Sequence, residues 1–284
     1  MNISKRINTL VNFIENDSLA DIGTDHGYIA LHAHNKKKLK KIIACDINKE
    51  PLNNCKNNLQ KHNLENVIET RLGSGVSKIE IAEVETAIIA GMGGNLIVDI
   101  LKENLEISKS FKQLILQPQA SVANVRRFIH EIDFSILNEK IIFEDGRYYF
   151  ILNCINKKEE PYTDFQYDFG KLLLEEKNSL YKDYLLIELE KKMYVNSNII
   201  DNAIQADKYT LKKIKGMLGM YKADEDKDES ELRKIESMTE DLDNSLSKNE
   251  ESFNKIKVII LNLKAAITIL NGDSNVISLE NFRK

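Results

Sequence analysis

Seven short apolar runs recur through the first 155 residues, with helical patterns between most of them: SLADIG, KKIIACDI, NVIETRLG, ETAIIAGMGG, KQLILQPQ, FSILNEKIIFE and GRYYFILNCI. This cadence restricts the fold more than any other feature, because parallel strands need long crossovers and usually take a helix for each. Several runs are apolar without strict alternation, as strands covered on both faces of a parallel sheet are. The last two follow one another without a helix, and the Asp145-Gly146 pair between them predicts a closing antiparallel hairpin. The expected architecture is α/β: five parallel-type strands with intervening helices, then the hairpin.

Residues 156–169, NKKEEPYTDFQYDF, hold one of only three prolines and break the rhythm. The predicted boundary lies there, with one domain over 1–157 and a second over 158–284. A helical stretch runs from about Leu172 to Tyr194. Beyond it Ile200, Ile204, Leu211, Ile214, Leu218 and Tyr221 keep heptad spacing around a polar Asp207. Ile235, Leu242, Leu246, Phe253, Ile256, Ile260, Leu263, Ile267 and Leu270 do so for longer, interrupted at Thr239 and Asn249. The pattern predicts an α-helical coiled-coil appendage folded back on itself at an acidic turn near 223–231.

The densest chemical signal is Leu19-Ala20-Asp21-Ile22-Gly23-Thr24-Asp25-His26-Gly27-Tyr28, a strand running through a D-x-G-x-x-x-G turn into a helix. Its spacing differs from the G-x-G-x-x-G fingerprint that delivers a helix N-terminus to a pyrophosphate. Roughly 20 residues further on, Asp46 ends the second strand, where a carboxylate accepts both ribose hydroxyls of an adenosyl cofactor. Two more glycine turns, Gly73-Ser74-Gly75 and Gly91-Met92-Gly93-Gly94, follow the third and fourth strands. All four features fall at the carboxyl ends of strands, where an open α/β sheet binds its ligands. A nicotinamide dinucleotide is the competing adenosyl cofactor.

The net charge of −4 excludes a chain coated in basic residues for indiscriminate polyanion binding. Cys45, Cys55 and Cys154 have neither disulfide-framework nor metal-ligand spacing, so reduced thiols, no metal and a cytoplasmic location are expected. The N-terminal stretch reads as an amphipathic helix rather than a secretory leader, and no run is long and apolar enough to predict a membrane span.

The motifs SKRINTLVNFI, LADIGTDHGYIAL, ETAIIAGMGGNLIVDIL, LILQPQASVANVRRFI and EDGRYYFIL resemble, in order, those of the bacterial tRNA N1-methyladenosine methyltransferases that modify adenine 22, the TrmK family. The resemblance spans residues 3 to 153. It implies a Rossmann-like class I methyltransferase sheet, S-adenosyl-L-methionine as cofactor and tRNA as partner. The cofactor-binding residues are then Asp21, Gly23, Thr24, Gly27, Asp46, Ile47, Gly73, Ser74 and Gly91. Where the family carries an acid in a G-D-G turn, this chain has the uncharged Ser74.

No Asp/Asn-Pro-Pro-aromatic run follows the fourth strand, which disfavours exocyclic-amine methylation, and no cysteine stands in a loop suited to cytosine C5 chemistry. A ring nitrogen such as adenine N1 needs no strong base, only positioning and tolerance of a cationic product. Asp25 is the candidate that would meet the base edge or the product charge, against a plain helix-capping role. His26 is expected to be a structural or hydrogen-bonded histidine rather than a general base, and Tyr28 a packing residue rather than a stacking platform.

Lys36-Lys37-Lys38-Leu39-Lys40-Lys41 precedes the second strand and is therefore expected opposite the crevice. Lys5, Arg6, Arg126, Arg127, Lys212, Lys213 and Lys215 are the candidate RNA contacts. The coiled coil would either grip folded tRNA or serve stability or dimerisation, leaving monomer and dimer both open. Readings that compete with a tRNA methyltransferase are a small-molecule or other RNA methyltransferase, a nucleotide-dependent oxidoreductase and a noncatalytic adaptor that keeps the cofactor fold.

Overall fold

The computed structural model describes residues 3–195, 237, 240, 251, 254–256 and 258–271. The first α-helix, α1 (Lys5–Asn12), starts under a Ser4 cap whose hydroxyl accepts from the Ile7 N–H at 3.1 Å. There follow β1 (Ser18–Ile22), α2 (Tyr28–Lys36), β2 (Lys41–Asp46), α3 (Lys49–Lys61), β3 (Ile68–Leu72), β4 (Thr86–Met92), α4 (Gly94–Glu103), α5 (Leu105–Ser110), β5 (Gln113–Pro118) and α6 (Val122–Glu131). The chain continues through β6 (Ser135–Glu144), β7 (Arg147–Ile155), α7 (Asp164–Phe169), α8 (Lys171–Glu175) and α9 (Ser179–Val195).

The seven strands form one sheet in the order β3-β2-β1-β4-β5-β7-β6. The first five pair in parallel, and β7 lies antiparallel between β5 and β6. Asp145 and Gly146, both left-handed, make the expected two-residue hairpin turn. Strand order reverses between β1 and β4, which are direct neighbours, with Ala20 opposite both Ile43 and Ala87.

The two-residue period of the strands divides their apolar runs between two cores. Ala20, Ile22, Ile43, Ala87, Ile89, Leu114 and Leu116 face Ile97 and Leu101 of α4 and Val125, Phe128 and Ile129 of α6. Leu19, Ile42, Ala44, Ile88 and Ile115 face Leu10 and Val11 of α1, Ala30 and Leu31 of α2 and Leu59 of α3. Apolar residues are therefore needed on both faces, and the runs lose alternation for that reason.

The basic run sits at the amino ends of the strands, where Lys40 meets Asp17 and Lys41 meets Glu83, each at 2.6 Å. At the opposite end, pairing between β4 and β5 shifts register between Ala90 and Met92. This bulge turns Gly91 out of the ladder at the rim of the sheet.

The molecule divides into two compact units, Met1–Tyr181 and Lys182–Lys284. The break expected near residue 157 thus falls inside the first unit. Tyr162 and Tyr167 join the core that holds Phe128 and Phe134, and the Tyr181 hydroxyl donates to the Phe169 carbonyl at 2.5 Å. In the second unit, helical residues Ile260, Leu263, Ala266, Ile267 and Leu270 are buried along one stripe. The heptad positions from Ile200 to Leu246, Phe253, the acidic turn and Lys212, Lys213 and Lys215 lie outside the described residues.

Candidate cofactor and acceptor site

The turn after β1 is built from backbone. Gly23 and Thr24 donate their N–H groups to the Cys45 carbonyl on β2, at 2.8 and 2.9 Å. Gly23 is left-handed (φ +78°), and a Cβ there would lie 2.0 Å from Cε of Met92 on β4, so the position requires glycine both for conformation and for space. Beneath this turn Asp21 is buried and accepts from Thr24 Oγ1 at 2.7 Å. Burial, only partly offset by that hydrogen bond, raises its pKa from the usual 3.8 to about 6.

Asp46 ends β2 with one carboxylate oxygen, Oδ1, taken by the Asn48 N–H at 2.7 Å. Its carbonyl holds the Gly73 N–H of the next turn at 2.9 Å. Ile47 follows with 62% of its surface exposed, an apolar side chain left open beside a nearly buried carboxylate. Ser74 Oγ lies 3.4 Å from Glu103 Oε2 at the end of α4. Asp21, Gly23, Thr24, Gly27, Asp46, Ile47, Gly73, Ser74 and Gly91 thus lie at or just beyond the carboxyl ends of β1 to β4. The set suits an adenosyl cofactor: an acceptor at a strand end for ribose hydroxyls, an exposed aliphatic face for adenine, and turns without side chains.

The far side of the crevice depends on a residue the sequence did not single out. Gln117 of β5 is fully buried, and its Oε1 accepts both from Arg6 Nη1 at 3.0 Å and from the Gly91 N–H at 3.1 Å. Glu144, at the end of β6, accepts from the backbone N–H groups of Lys5 and Arg6 and so anchors the start of α1. The Arg6 guanidinium also lies 5.7 Å from the Tyr149 ring centre. Arg6, Gly91 and Gln117 each sit in a distinctive motif, SKRINTLVNFI, AGMGG and LILQP, but nothing local says that the three meet.

Gly94 brings α4 close to the loop before α6. A Cβ there would lie 2.5 Å from the Ala120 carbonyl oxygen and 2.6 Å from that of Ser121.

Arg126 and Tyr28 depart from expectation. Arg126 is not at an RNA face: its side chain is 1% exposed and pairs with Glu139 at 2.5 Å, while Nη1 donates to the Tyr167 and Asp168 carbonyls at 2.7 and 3.2 Å. Arg127 is partly exposed and paired with Asp164 and Asp168, each at 3.1 Å. Asp25 is exposed, with Oδ1 3.6 Å from His26 Nε2. Tyr28 does not pack inward, being 40% exposed with its ring stacked on that of His26. The three cysteines are buried, and burial pushes Cys45 up to about 12 and Cys55 up to about 11 and raises Cys154, so none is a thiolate nucleophile near neutral pH. Among the described residues no group of His, Cys, Asp and Glu is placed to hold a metal ion, and no helix is long and apolar enough to cross a membrane.

A family model described as a methyltransferase domain matches residues 3–152. The tRNA (adenine(22)-N(1))-methyltransferase of Bacillus subtilis is 29% identical over 229 residues, which cover 78% of this chain and 96% of that protein. A putative tRNA (m1A22) methyltransferase of Streptococcus pneumoniae, solved in complex with S-adenosyl-L-methionine, is 29% identical with a TM-score of 0.65, covering 68% of this chain and 91% of that one. M. capricolum TrmK, solved with S-adenosyl-homocysteine, is 25% identical with a TM-score of 0.66, covering 93% and 100%.

Proposed function

The chain belongs to the methyltransferase-domain family, whose model it matches over residues 3–152, and from that premise we propose that it methylates N1 of adenine 22 in tRNA, using S-adenosyl-L-methionine. The reading is supported above all by the Asp46 carboxylate, exposed Ile47 and the turns after β1, β3 and β4 all standing at the carboxyl ends of neighbouring strands. Relatives covering most of the chain bear that activity in their names, and one is solved with this cofactor bound.

Asp46 holds the ribose hydroxyls, Ile47 covers the adenine, and Gly23 to Gly27 leave room for the methionine portion. The bound cofactor supplies an electrophilic methyl group. The acceptor nitrogen needs no general base, because its lone pair is free at neutral pH, so the protein's task is to aim it and to shelter the cationic product. Asp25 supplies a carboxylate for that charge. The Gln117–Arg6–Gly91 assembly forms the acceptor side, with Lys5, Arg6 and Arg127 as phosphate contacts.

In this reading the second unit, residues 182–284 with Lys212 and Lys213, grips the folded tRNA, and the enzyme works in the cytoplasm. The test is incubation of the purified chain with methyl-labelled cofactor and unmodified tRNA, followed by mapping of the label. Label at N1 of adenine 22 is expected. Cofactor binding without tRNA labelling would instead favour a small-molecule acceptor, and label on another atom would overturn the assignment.

A further inference from the structure

His26 and Tyr28 stand on either side of Gly27, where the β1 turn becomes α2. Their rings are stacked, with centroids 5.4 Å apart and planes 26° from parallel. The turn beneath them is held from three points: the Gly23 and Thr24 N–H groups on the Cys45 carbonyl, and Asn58 Nδ2, which donates to the His26 carbonyl at 3.0 Å. Backbone contacts therefore fix the place of the rings, while the rings stay open to solvent, Tyr28 at 40% and the His26 side chain at 43%.

One turn further on, His32 Nε2 is 3.2 Å from Asn8 Oδ1, so α2 runs beside α1. The same α1 carries Arg6, whose guanidinium reaches Gln117, the residue that also accepts from the Gly91 N–H. β1 and β4, whose carboxyl ends carry these two turns, are adjacent in the sheet. The exposed aromatic pair and the Gly91 bulge thus follow the carboxyl ends of two adjacent strands.

We propose that the His26–Tyr28 stack is the platform on which the acceptor adenine lies, with the Tyr28 ring contacting the base face. This rests on the tRNA adenine reading above. The lone pair of N1 lies in the plane of the ring, so a contact on the face fixes the plane without occupying the nitrogen. N1 forms its bond to the methyl carbon as the carbon–sulfur bond breaks; the electron pair stays on sulfur, and the base gains one positive charge with no proton removed. An aromatic face attracts that charge more strongly than it attracts the neutral base. The Asp25 carboxylate, 3.6 Å from His26 Nε2, adds negative charge at the edge of the same stack.

The test uses the full chain with Tyr28→Ala, Tyr28→Leu and Tyr28→Phe, and reads three quantities: cofactor Kd by calorimetry, tRNA kcat and KM, and the fluorescence of 2-aminopurine placed at position 22 of the tRNA. Stacking on an aromatic side chain is worth enough that Ala and Leu should each lower kcat/KM for tRNA roughly 10- to 100-fold, with Phe close to wild type. Cofactor Kd should stay within about threefold, because the ring faces the acceptor. Fluorescence should be quenched on binding to wild type and Tyr28→Phe but not to Ala or Leu. Rescue by Leu would mean simple packing, and a cofactor Kd that weakens in step with kcat/KM would mean a cofactor contact; either overturns the platform. An active wild type with an equally active Tyr28→Ala overturns the platform alone. A wild type that binds cofactor but leaves tRNA unmethylated overturns both the platform and the reading it rests on.

Discussion

Asp21 and Asp46 end neighbouring strands, yet their settings give them different tasks. Asp46 uses Oδ1 to fix the following turn at Asn48, and in the proposed function its carboxylate also takes the ribose hydroxyls. Losing two charge-assisted hydrogen bonds costs about 3 kcal/mol or more, so Asp46→Ala should weaken cofactor binding at least about 100-fold by calorimetry. Asp25→Ala should leave that affinity within about threefold and lower kcat instead, because the exposed side chain touches no part of the cofactor turn's hydrogen bonding. Asp21 is buried under the same turn, and its pKa is raised from 3.8 to about 6. A carboxyl raised in the folded state binds its proton more tightly than in the unfolded chain. Its contribution is therefore fully present below about pH 3.8 and lost as pH rises through about 6. Asn stays neutral throughout and can keep a hydrogen bond with Thr24. Urea unfolding should therefore show Asp21→Asn gaining about 2 kcal/mol relative to wild type between pH 4.5 and 7. A mutant that tracks the wild type across that range would place the ionisation elsewhere.

Elements differ in how far their role could be read from the chain. The strands were legible because burial on two faces demands continuous apolar runs, and the hairpin because Asp145-Gly146 suits only a tight turn. The place of Asp46 at a strand end was legible because the apolar run Ile42–Cys45 stops there. Arg126 was not: two adjacent arginines on α6 look like a basic surface, and nothing local says that the first shares the inward face with Val125 and Ile129. Its partners, Glu139 on β6 and the carbonyls ending α7, are distant in sequence. Gln117 was hidden for the same reason, since it acts through Arg6. The Arg126 guanidinium ties three elements together, and a Cβ on Gly170 would lie 2.8 Å from its Nη2. Arg126→Ala leaves a buried carboxylate unpaired and should cost about 3–5 kcal/mol in denaturant unfolding. Removing both charges with Arg126→Met and Glu139→Leu should recover much of that loss. A tRNA-binding defect in Arg126→Ala without any loss of stability would return the residue to the RNA surface.

At the scale of the whole molecule, the catalytic unit ends later than its sequence suggests. The proline at 161 reads as a break, and α7 and α8 are too short for helical periodicity to declare itself. They nevertheless complete the core: Tyr162, Tyr167, Phe169, Leu173 and Leu174 are buried, and the α7 carbonyls satisfy Arg126. A chain stopped at 157 loses all five side chains. At about 1.5–3 kcal/mol each their removal exceeds roughly 7 kcal/mol, comparable with the whole stability of an ordinary domain. That chain should lack a cooperative thermal transition. A chain stopped after Tyr181 keeps the core, the Asp46 turn and the Arg6–Gln117 assembly, so it should unfold cooperatively and bind cofactor within about threefold of the full protein. Both truncations are read by calorimetry, and a cooperative, cofactor-binding 1–157 chain would show that α7 and α8 are ornament to the sheet rather than part of its core.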